Sequence, residues 1–306
     1  MKKHNRKKYW FTAILLLVLT LLSALLTGGM VSMTETNDKE ELLVVTSFYP
    51  MYTATINVTA GCDGIRVENL SEPQTGCLHD YQLTPQDMQL LSRADVFVIN
   101  GGGIESFLAD VAKAYPKLVI INASDGLLME EDNAHVWMSI SRYRDQVQAI
   151  CDGLCEEDEA DRDRLAENCA AYQKKIDEVA KEADKIREKL AGEPVLLFHE
   201  AFAYFAEECD LTAAGVLDLD EERQVSAGEV AQMLELIQEK KIRLILAEEQ
   251  YGRDMGEVME RESDVTVLYL DPLVRAPETG EDADSWLTGM RENLRILSEA
   301  VEAGGI

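Results

Sequence analysis

Three histidines provide the most direct chemical clue in this sequence: His79, His135 and His199. The chain has only four histidines, and the fourth, His4, lies in a basic and apolar N-terminal segment. Each of the other three lies in a loop or directly after an apolar run of the kind that forms a buried strand. Imidazole nitrogens suit a borderline-soft ion such as Zn²⁺. A shared metal site therefore requires a fold that brings these distant segments together.

Carboxylates at other strand ends are candidates for a fourth ligand. Asp271 follows one apolar run and is the first choice, and Glu249 follows another and is the second. Asp80 and Glu200 each come directly after a candidate histidine, where a carboxylate either orients the ring or faces solvent. Four protein ligands would close a tetrahedral site. Three ligands and a water would instead make a zinc hydrolase, with Glu249 or Glu200 as general base.

Short apolar runs alternate with helical segments twice along the chain, and this alternation predicts the fold. Strands that alternate with helices imply parallel sheets covered by helices. The predicted strands occupy residues 42–48, 65–70, 95–100, 118–122, 195–198, 211–216, 242–247 and 265–270. Ligand sites in such sheets form beyond the carboxyl ends of the strands, which is where the histidines lie.

A long amphipathic segment separates the two alternating regions. Residues 157–190 contain neither Gly nor Pro, and apolar side chains recur at steps of three and four. A single helix of about thirty residues would be roughly 45–50 Å long at 1.5 Å per residue. The sequence thus predicts an α/β protein with an N-terminal lobe at 42–156, a linking helix at 157–191 and a C-terminal lobe at 192–306. The metal site is expected in the cleft between the lobes.

Two capping patterns mark helix starts in these lobes. Thr84 precedes Pro85 and has an acid three residues on, at Asp87, which predicts an N-cap followed by a first helical turn. Ser226 and Glu229 form the same kind of capping box. Helices should therefore begin directly after Thr84 and Ser226.

The first thirty residues have the build of an export signal. Five basic residues precede an apolar stretch of about seventeen residues, and small residues follow it. The segment is either cleaved or kept as a single membrane anchor, and its charge places the rest of the chain outside the cytoplasm. Residues 31–41 are polar and predict a tether. The protein is therefore expected at the extracytoplasmic face of a bacterial plasma membrane, soluble or held by its N-terminus.

Charge and cysteine content narrow the range of partners. The chain has 57 acidic against 29 basic residues, a net charge of −28, which argues against nucleic-acid binding. An exported chain can oxidise its six cysteines, and Cys62 with Cys77 would close a short loop before His79. Cys151 and Cys155, four residues apart, could be a metal pair, but no second such pair supports that interpretation.

Five segments resemble the metal-specific class of ABC-transporter solute-binding proteins. These segments are His79-Asp-Tyr-Gln-Leu-Thr-Pro-Gln-Asp87, His135-Val-Trp-Met, Phe198-His-Glu-Ala-Phe-Ala-Tyr, Ala247-Glu-Glu-Gln250 and Leu270-Asp-Pro272. The resemblance covers residues 42–303. One departure is that this chain has no long histidine-rich loop in its first lobe, so the auxiliary capture loop of many zinc carriers is not expected.

The resemblance implies a function as well as a fold. It implies an α/β lobe, a long helix and a second α/β lobe, with one metal held by His79, His135, His199 and Asp271. Manganese carriers of this class have Glu where this chain has His199, so Zn²⁺ is expected in preference to Mn²⁺. The expected protein is a monomeric receptor, not an enzyme, that delivers Zn²⁺ to an ABC permease in the membrane. The alternatives are an extracellular zinc-dependent hydrolase and a metal-binding surface adhesin.

Overall fold

Eight short apolar runs form the strands of two parallel sheets in the computed structural model of the protein. The structure describes residues 41–72, 78, 79, 81–130, 133–190, 192–217, 219, 225–277 and 282–304. The predicted export signal at 1–30, most of the tether at 31–41, Cys77 and Asp80 lie outside these residues. Among the residues that are described, no helix is both long enough and apolar enough to cross a membrane.

The first sheet has the strand order β2-β1-β3-β4, and all its neighbouring pairs are parallel. Its strands are β1 (Leu42–Thr46), β2 (Ile65–Asn69), β3 (Val96–Ile99) and β4 (Val119–Asn122). β3 is buried along its whole length, as expected for a strand covered on both faces. The chain leaves β1 toward β2 and returns to β3 on the other side, so a crevice forms at the carboxyl ends of β1 and β3.

The second sheet repeats this arrangement with the order β6-β5-β7-β8, again fully parallel. Its strands are β5 (Pro194–Leu197), β6 (Thr212–Val216), β7 (Leu244–Glu248) and β8 (Thr266–Leu270). The corresponding crevice lies beyond β5 and β7. The prediction of two parallel-sheet α/β lobes joined by one long helix is confirmed by this topology.

Nine helices among the described residues cover these sheets and connect the strands. They are α1 (Tyr49–Val58), α2 (Pro85–Leu91), α3 (Leu108–Ala114), α4 (Ile140–Glu157), α5 (Arg162–Leu190), α6 (Phe202–Glu208), α7 (Ala227–Lys240), α8 (Glu249–Glu262) and α9 (Ser285–Glu302). A single 3₁₀ turn, Val136–Met138, precedes α4. Both predicted capping boxes are present: Thr84 caps α2 together with Asp87, and Ser226 caps α7 together with Glu229.

The long helix α5 has 29 residues and is about 44 Å long at 1.5 Å per residue. It begins five residues later than the start of the predicted linking range, because α4 continues to Glu157 and a turn follows. In that turn the Asp158 carboxylate accepts a hydrogen bond from the Ala160 N–H at 3.0 Å. The apolar face predicted for α5 is buried and packs against α4 and α9.

Aromatic side chains tie the two lobes together. The Trp137 indole donates to the Pro272 carbonyl at 2.9 Å, and the Trp286 indole donates to the Trp137 carbonyl at 3.0 Å. The Trp286 ring also stacks on Tyr143, with 4.0 Å between ring centroids. Residues of both sheets share one apolar core with these side chains. The lobes therefore pack as a single unit over residues Leu42–Ile306.

Candidate metal site

The fold brings the three predicted histidines to one place. His79 lies in the loop between β2 and α2, and His135 lies between β4 and the 3₁₀ turn. His199 follows directly after β5, at the crevice of the second sheet. His135 is fully buried, His199 is 8% exposed, and His79 is exposed. The site is therefore deep at His135 and open to solvent at His79.

The distances between the rings are those of a shared binding point. The Nε2 atoms of His79 and His135 are 3.2 Å apart, and the centroids of these two rings are 4.9 Å apart. The His135 and His199 ring centroids are 5.1 Å apart. Two Nε2 atoms bound to one tetrahedral Zn²⁺ at about 2.0–2.1 Å would be slightly more than 3 Å apart. The His79 and His135 rings are thus already close to the spacing that one ion requires.

Asn133 fixes the protonation of His135. The Asn133 Oδ1 atom is 3.0 Å from Nδ1 of His135 and also accepts from its backbone N–H at 3.0 Å. The Asn133 amide nitrogen donates to the Glu200 carbonyl at 3.1 Å, which sets the orientation of the amide. Because a carbonyl oxygen only accepts, Nδ1 carries the proton and Nε2 keeps its lone pair. That lone pair is on the nitrogen nearest to His79.

Burial keeps His135 neutral. Its pKa is well below the usual 6.5, first because burial penalises the charged ring and then because His199 and His79 lie nearby. A neutral imidazole is the form that binds a metal ion. The Trp137 ring, 5.1 Å from the His135 ring between centroids, is part of the apolar wall that causes this effect.

Glu248 supports His199 from the second sheet. Its carboxylate Oε2 lies 3.8 Å from Nδ1 of His199, and its Oε1 accepts from Arg275 at 3.4 Å. Glu248 is buried at the end of β7. An anion beside Nδ1 favours the proton on that nitrogen, so Nε2 is the ligand atom. Neither Glu248 nor Asn133 was predicted as a site residue, although Glu248 lies within the segment Ala247–Gln250 and Asn133 lies two residues before His135.

The carboxylates chosen from the sequence have different surroundings. Glu249 begins α8, is exposed, and pairs with Arg253. Asp271 follows β8, where its Oδ1 accepts from the Leu273 N–H at 2.7 Å. Asp271 is exposed and lines a cavity of about 780 Å³. Glu248, Arg275 and Tyr49 line the same cavity, so it lies beside the histidines and receives residues from both lobes.

Glu200 lies closest to the histidine nitrogens. One ligand atom each from His79, His135 and Glu200 lie within 4.8 Å of one another, and no other such group of three occurs among the described residues. The Glu200 carboxylate is 3.6 Å from Nδ1 of His135. Because that nitrogen carries the proton, Glu200 sits where a carboxylate orients the ring. His199 and Asp271 are not part of this tight group, and Asp80 lies outside the described residues.

Comparison with known proteins identifies relatives over nearly the whole chain. The sequence profile of the ZnuA family, described as zinc-uptake complex component A, periplasmic, matches residues 44–300. The high-affinity zinc uptake system protein ZnuA of Bacillus subtilis (strain 168) is 24% identical over 286 residues, which cover 86% of this chain and 88% of that protein. The manganese-binding lipoprotein MntA of Halalkalibacterium halodurans is 23% identical over 273 residues, which cover 84% of this chain and 87% of that protein.

A solved structure agrees with the fold. The crystal structure of the Zn(II)-bound ZnuA-like domain of Streptococcus pneumoniae AdcA has a TM-score of 0.70 and 26% identity to this chain. The match covers 86% of this chain and 99% of that domain. The likeness therefore includes both lobes and the long helix between them.

Proposed function

Because this chain belongs to the family of periplasmic ZnuA components of zinc-uptake complexes, we propose that it is the receptor of a zinc ABC importer. The family consists of solute-binding proteins of ABC importers, which are not enzymes. The resemblance inferred from the histidine segments is thereby confirmed. The named relatives carry zinc or manganese, so the choice of Zn²⁺ is part of the proposal.

One observation supports the proposal most strongly: the His79 and His135 Nε2 atoms lie 3.2 Å apart, with the His199 ring beside them. Two neutral imidazole nitrogens repel through their lone pairs unless a proton or a cation lies between them. Burial, and the hydrogen bond that the His135 Nδ1–H donates to the Asn133 Oδ1 atom, keep the His135 Nε2 unprotonated. A divalent ion is therefore the ligand that best satisfies this arrangement.

We assign the fourth ligand to Asp271. Its Oδ1 atom is engaged by Leu273, which leaves Oδ2 for the metal. Glu249 is less suitable because its carboxylate pairs with Arg253 at the surface. Glu200 is better suited to orient His135, because its carboxylate lies on the Nδ1 side of that ring. The proposed ligand set is therefore three imidazoles and one carboxylate.

Three imidazoles favour Zn²⁺ over Mn²⁺ in this site. Mn²⁺ is a harder ion that prefers carboxylate, carbonyl and water oxygens, and it has the lower intrinsic affinity for nitrogen ligands. Zn²⁺ accepts four ligands in tetrahedral geometry and so leaves no position for a reactive water. A closed site of this kind suits capture and release rather than hydrolysis.

Capture and delivery must work with little movement between the lobes. The indoles of Trp137 and Trp286 join the lobes by hydrogen bonds, and α5 packs against both α4 and α9. We propose that the exposed His79 meets the incoming ion first and that the buried His135 completes the site. The monomeric protein would then dock on a membrane permease outside the cytoplasm, held there by its N-terminal segment or free.

Metal titration of the full chain tests the site. The metal-free protein is titrated with Zn²⁺ and, separately, with Mn²⁺ in competition with a chromogenic chelator, and bound metal is counted by elemental analysis. We expect one Zn²⁺ per chain and weaker binding of Mn²⁺. His199→Ala should weaken zinc binding by more than about 100-fold, whereas Glu249→Gln, the matched control on the neighbouring strand end, should leave it unchanged.

The same titration identifies the fourth ligand. Asp271→Asn should weaken zinc binding by at least about tenfold, while Glu200→Gln should have the smaller effect of losing an orienting group. Unchanged affinity in a correctly folded His199→Ala protein would overturn the proposed site. If zinc-limited cells lacking the protein take up zinc at the normal rate, the receptor function is wrong even where the site is right.

A further inference from the structure

Three cysteines meet where helices α4 and α5 pack together. Cys151 and Cys155 lie one turn apart on α4, and Cys169 lies on α5. The Sγ atoms of Cys151 and Cys155 are 4.0 Å apart, and Cys169 faces Cys151 across the helix interface, because each of these two sulfurs contacts a backbone carbonyl of the other helix. All three are free thiols, so the structure shows the reduced form of this cluster.

Contacts across the two helices place Cys151 and Cys169 directly opposite each other. The Cys151 sulfur lies 3.6 Å from the Leu165 carbonyl oxygen, and in an α-helix that carbonyl accepts from the N–H of Cys169. The Cys169 thiol lies 3.9 Å from the Val147 carbonyl, which by the same rule accepts from the N–H of Cys151. Each sulfur therefore lies at the same height along the helix pair as the backbone of the other cysteine. Both residues are almost fully buried, 3% and 2% exposed.

We propose that Cys151 and Cys169 form a disulfide that ties α4 to α5 when the protein folds in the presence of a low-molecular-weight disulfide. One cysteine thiolate attacks the external disulfide, which gives a mixed disulfide and releases one small thiolate. The second cysteine thiolate attacks the protein sulfur of the mixed disulfide and releases the other small thiolate. Two protein thiols lose two electrons, the external disulfide gains them, and the two protons pass to the released thiolates.

The ionisation of the pair favours the second attack. The pKa of Cys169 is lowered, mainly by its interaction with the neighbouring Cys151 thiol. The pKa of Cys151 is raised, first by the same interaction and then by burial. Cys169 is therefore the more readily ionised of the two thiols.

Cys155 is the wrong partner for Cys151 despite its proximity. Residues i and i+4 of a helix have Cβ atoms about 5–6 Å apart, whereas a disulfide requires about 3.5–4.5 Å. A bond between Cys151 and Cys155 would have to unwind a turn of α4. Cys155 is instead a third, partly exposed thiol, so its replacement by Ser provides a matched control.

The disulfide would stabilise α4, the helix that follows His135 in the chain. α4 starts two residues after the 3₁₀ turn that carries the chain on from His135. A disulfide from Cys151 to Cys169 closes a loop of fewer than twenty residues and restricts the unfolded chain. The expected result is a rise in melting temperature on the order of 5–10 °C.

Peptide mapping tests the pair. The full chain is refolded from urea with oxidised glutathione and a metal chelator, blocked with N-ethylmaleimide and digested with trypsin. In Cys155→Ser, the tryptic peptides 145–162 and 165–174 contain one cysteine each, Cys151 and Cys169. We expect these two peptides to be linked and to separate on reduction, in the wild type and in Cys155→Ser alike. Cys169→Ser should show neither the link nor the rise in melting temperature.

Two results would overturn the inference. In the first, both peptides of oxidised Cys155→Ser carry N-ethylmaleimide, which means that the pair stays reduced. In the second, the wild type contains the bond within peptide 145–162, which joins Cys151 to Cys155. Neither result bears on zinc binding, so this inference and the proposed receptor function fail independently.

Discussion

Asn133 determines which nitrogen of His135 carries the proton, so under the proposed zinc site Asn133→Ala should weaken zinc binding without removing a ligand. The variant loses the oxygen that lies 3.0 Å from Nδ1 of His135 and the bond, also 3.0 Å, to its backbone N–H. The Glu200 carboxylate, at 3.6 Å from Nδ1, is too distant to replace that hydrogen bond without moving. The buried ring can then regain a partner by shifting its proton to Nε2, next to His79.

The structure allows the size of this effect to be worked out. A buried donor that loses its acceptor costs about 1–3 kcal/mol, and zinc binding must pay that cost to restore the proton to Nδ1. Outer-shell substitutions of this kind lower metal affinity by about 10–100-fold. At about 1.4 kcal/mol per factor of ten, that range is about 1.4–2.8 kcal/mol. The two estimates agree, so we expect a 10–100-fold weaker zinc complex.

Competition titration with a chromogenic chelator at pH 7.5 measures this loss. Asn133→Asp is the matched control: its carboxylate keeps the acceptor at Nδ1, so zinc affinity should stay within a few-fold of the wild type or rise. Thermal melts of the metal-free variants show whether each is folded. A folded Asn133→Ala protein that binds zinc as tightly as the wild type would refute the assignment of the His135 tautomer.

Other perturbations test the surroundings of the site. The pKa of buried His135 is well below 6.5, so the unfolded chain takes up a proton that the folded chain does not. The contribution of His135 to the free energy of unfolding of the metal-free protein should therefore be complete above pH 6.5. Below pH 6.5 the free energy of unfolding should decrease by up to about 1.4 kcal/mol per pH unit. Urea unfolding from pH 5 to 7.5 measures this decrease, and a flat profile contradicts it. Glu248→Gln should weaken zinc binding about tenfold, because it removes the anion 3.8 Å from Nδ1 of His199. Glu249→Gln should leave zinc binding unchanged. Equal titration curves for the two variants would contradict the support of His199 by Glu248. Trp286→Phe removes the indole bond to the Trp137 carbonyl and should lower the free energy of unfolding by about 1–3 kcal/mol in urea; an unchanged midpoint would mean that this bond does not hold the lobes together.

Local patterns were sufficient to predict most of the fold. Apolar runs located the strands, and the capping boxes at Thr84 and Ser226 located two helix starts. α3 begins only at Leu108, nine residues after β3 ends at Ile99. The reason is a tertiary contact: the buried Glu105 carboxylate accepts from the Ser47 hydroxyl and from the N–H groups of residues 100 and 101. A sequence pattern does not reveal such a contact.

The three histidines that meet in the structure could be selected from the sequence, but the groups around them could not. Successive residues of a strand point to opposite faces, and β7 ends at Glu248 with α8 starting at Glu249. Whether Glu248 or Glu249 points inward depends on the residue at which the strand ends and the helix begins. A shift of that boundary by one residue would exchange the two. An asparagine in a loop usually serves the turn itself, and the sequence does not distinguish Asn133 from such a residue. Its contact with His135 becomes visible only when the backbone is known.

The position of Trp137 gives the protein a built-in optical reporter. The fluorescence of an indole depends on charge and polarity in its immediate neighbourhood, and this ring packs against the imidazole at the bottom of the site. Under the proposed zinc site, arrival of a doubly charged ion there should change the emission of the natural protein without any dye. Stopped-flow mixing could then follow metal loading and release in real time.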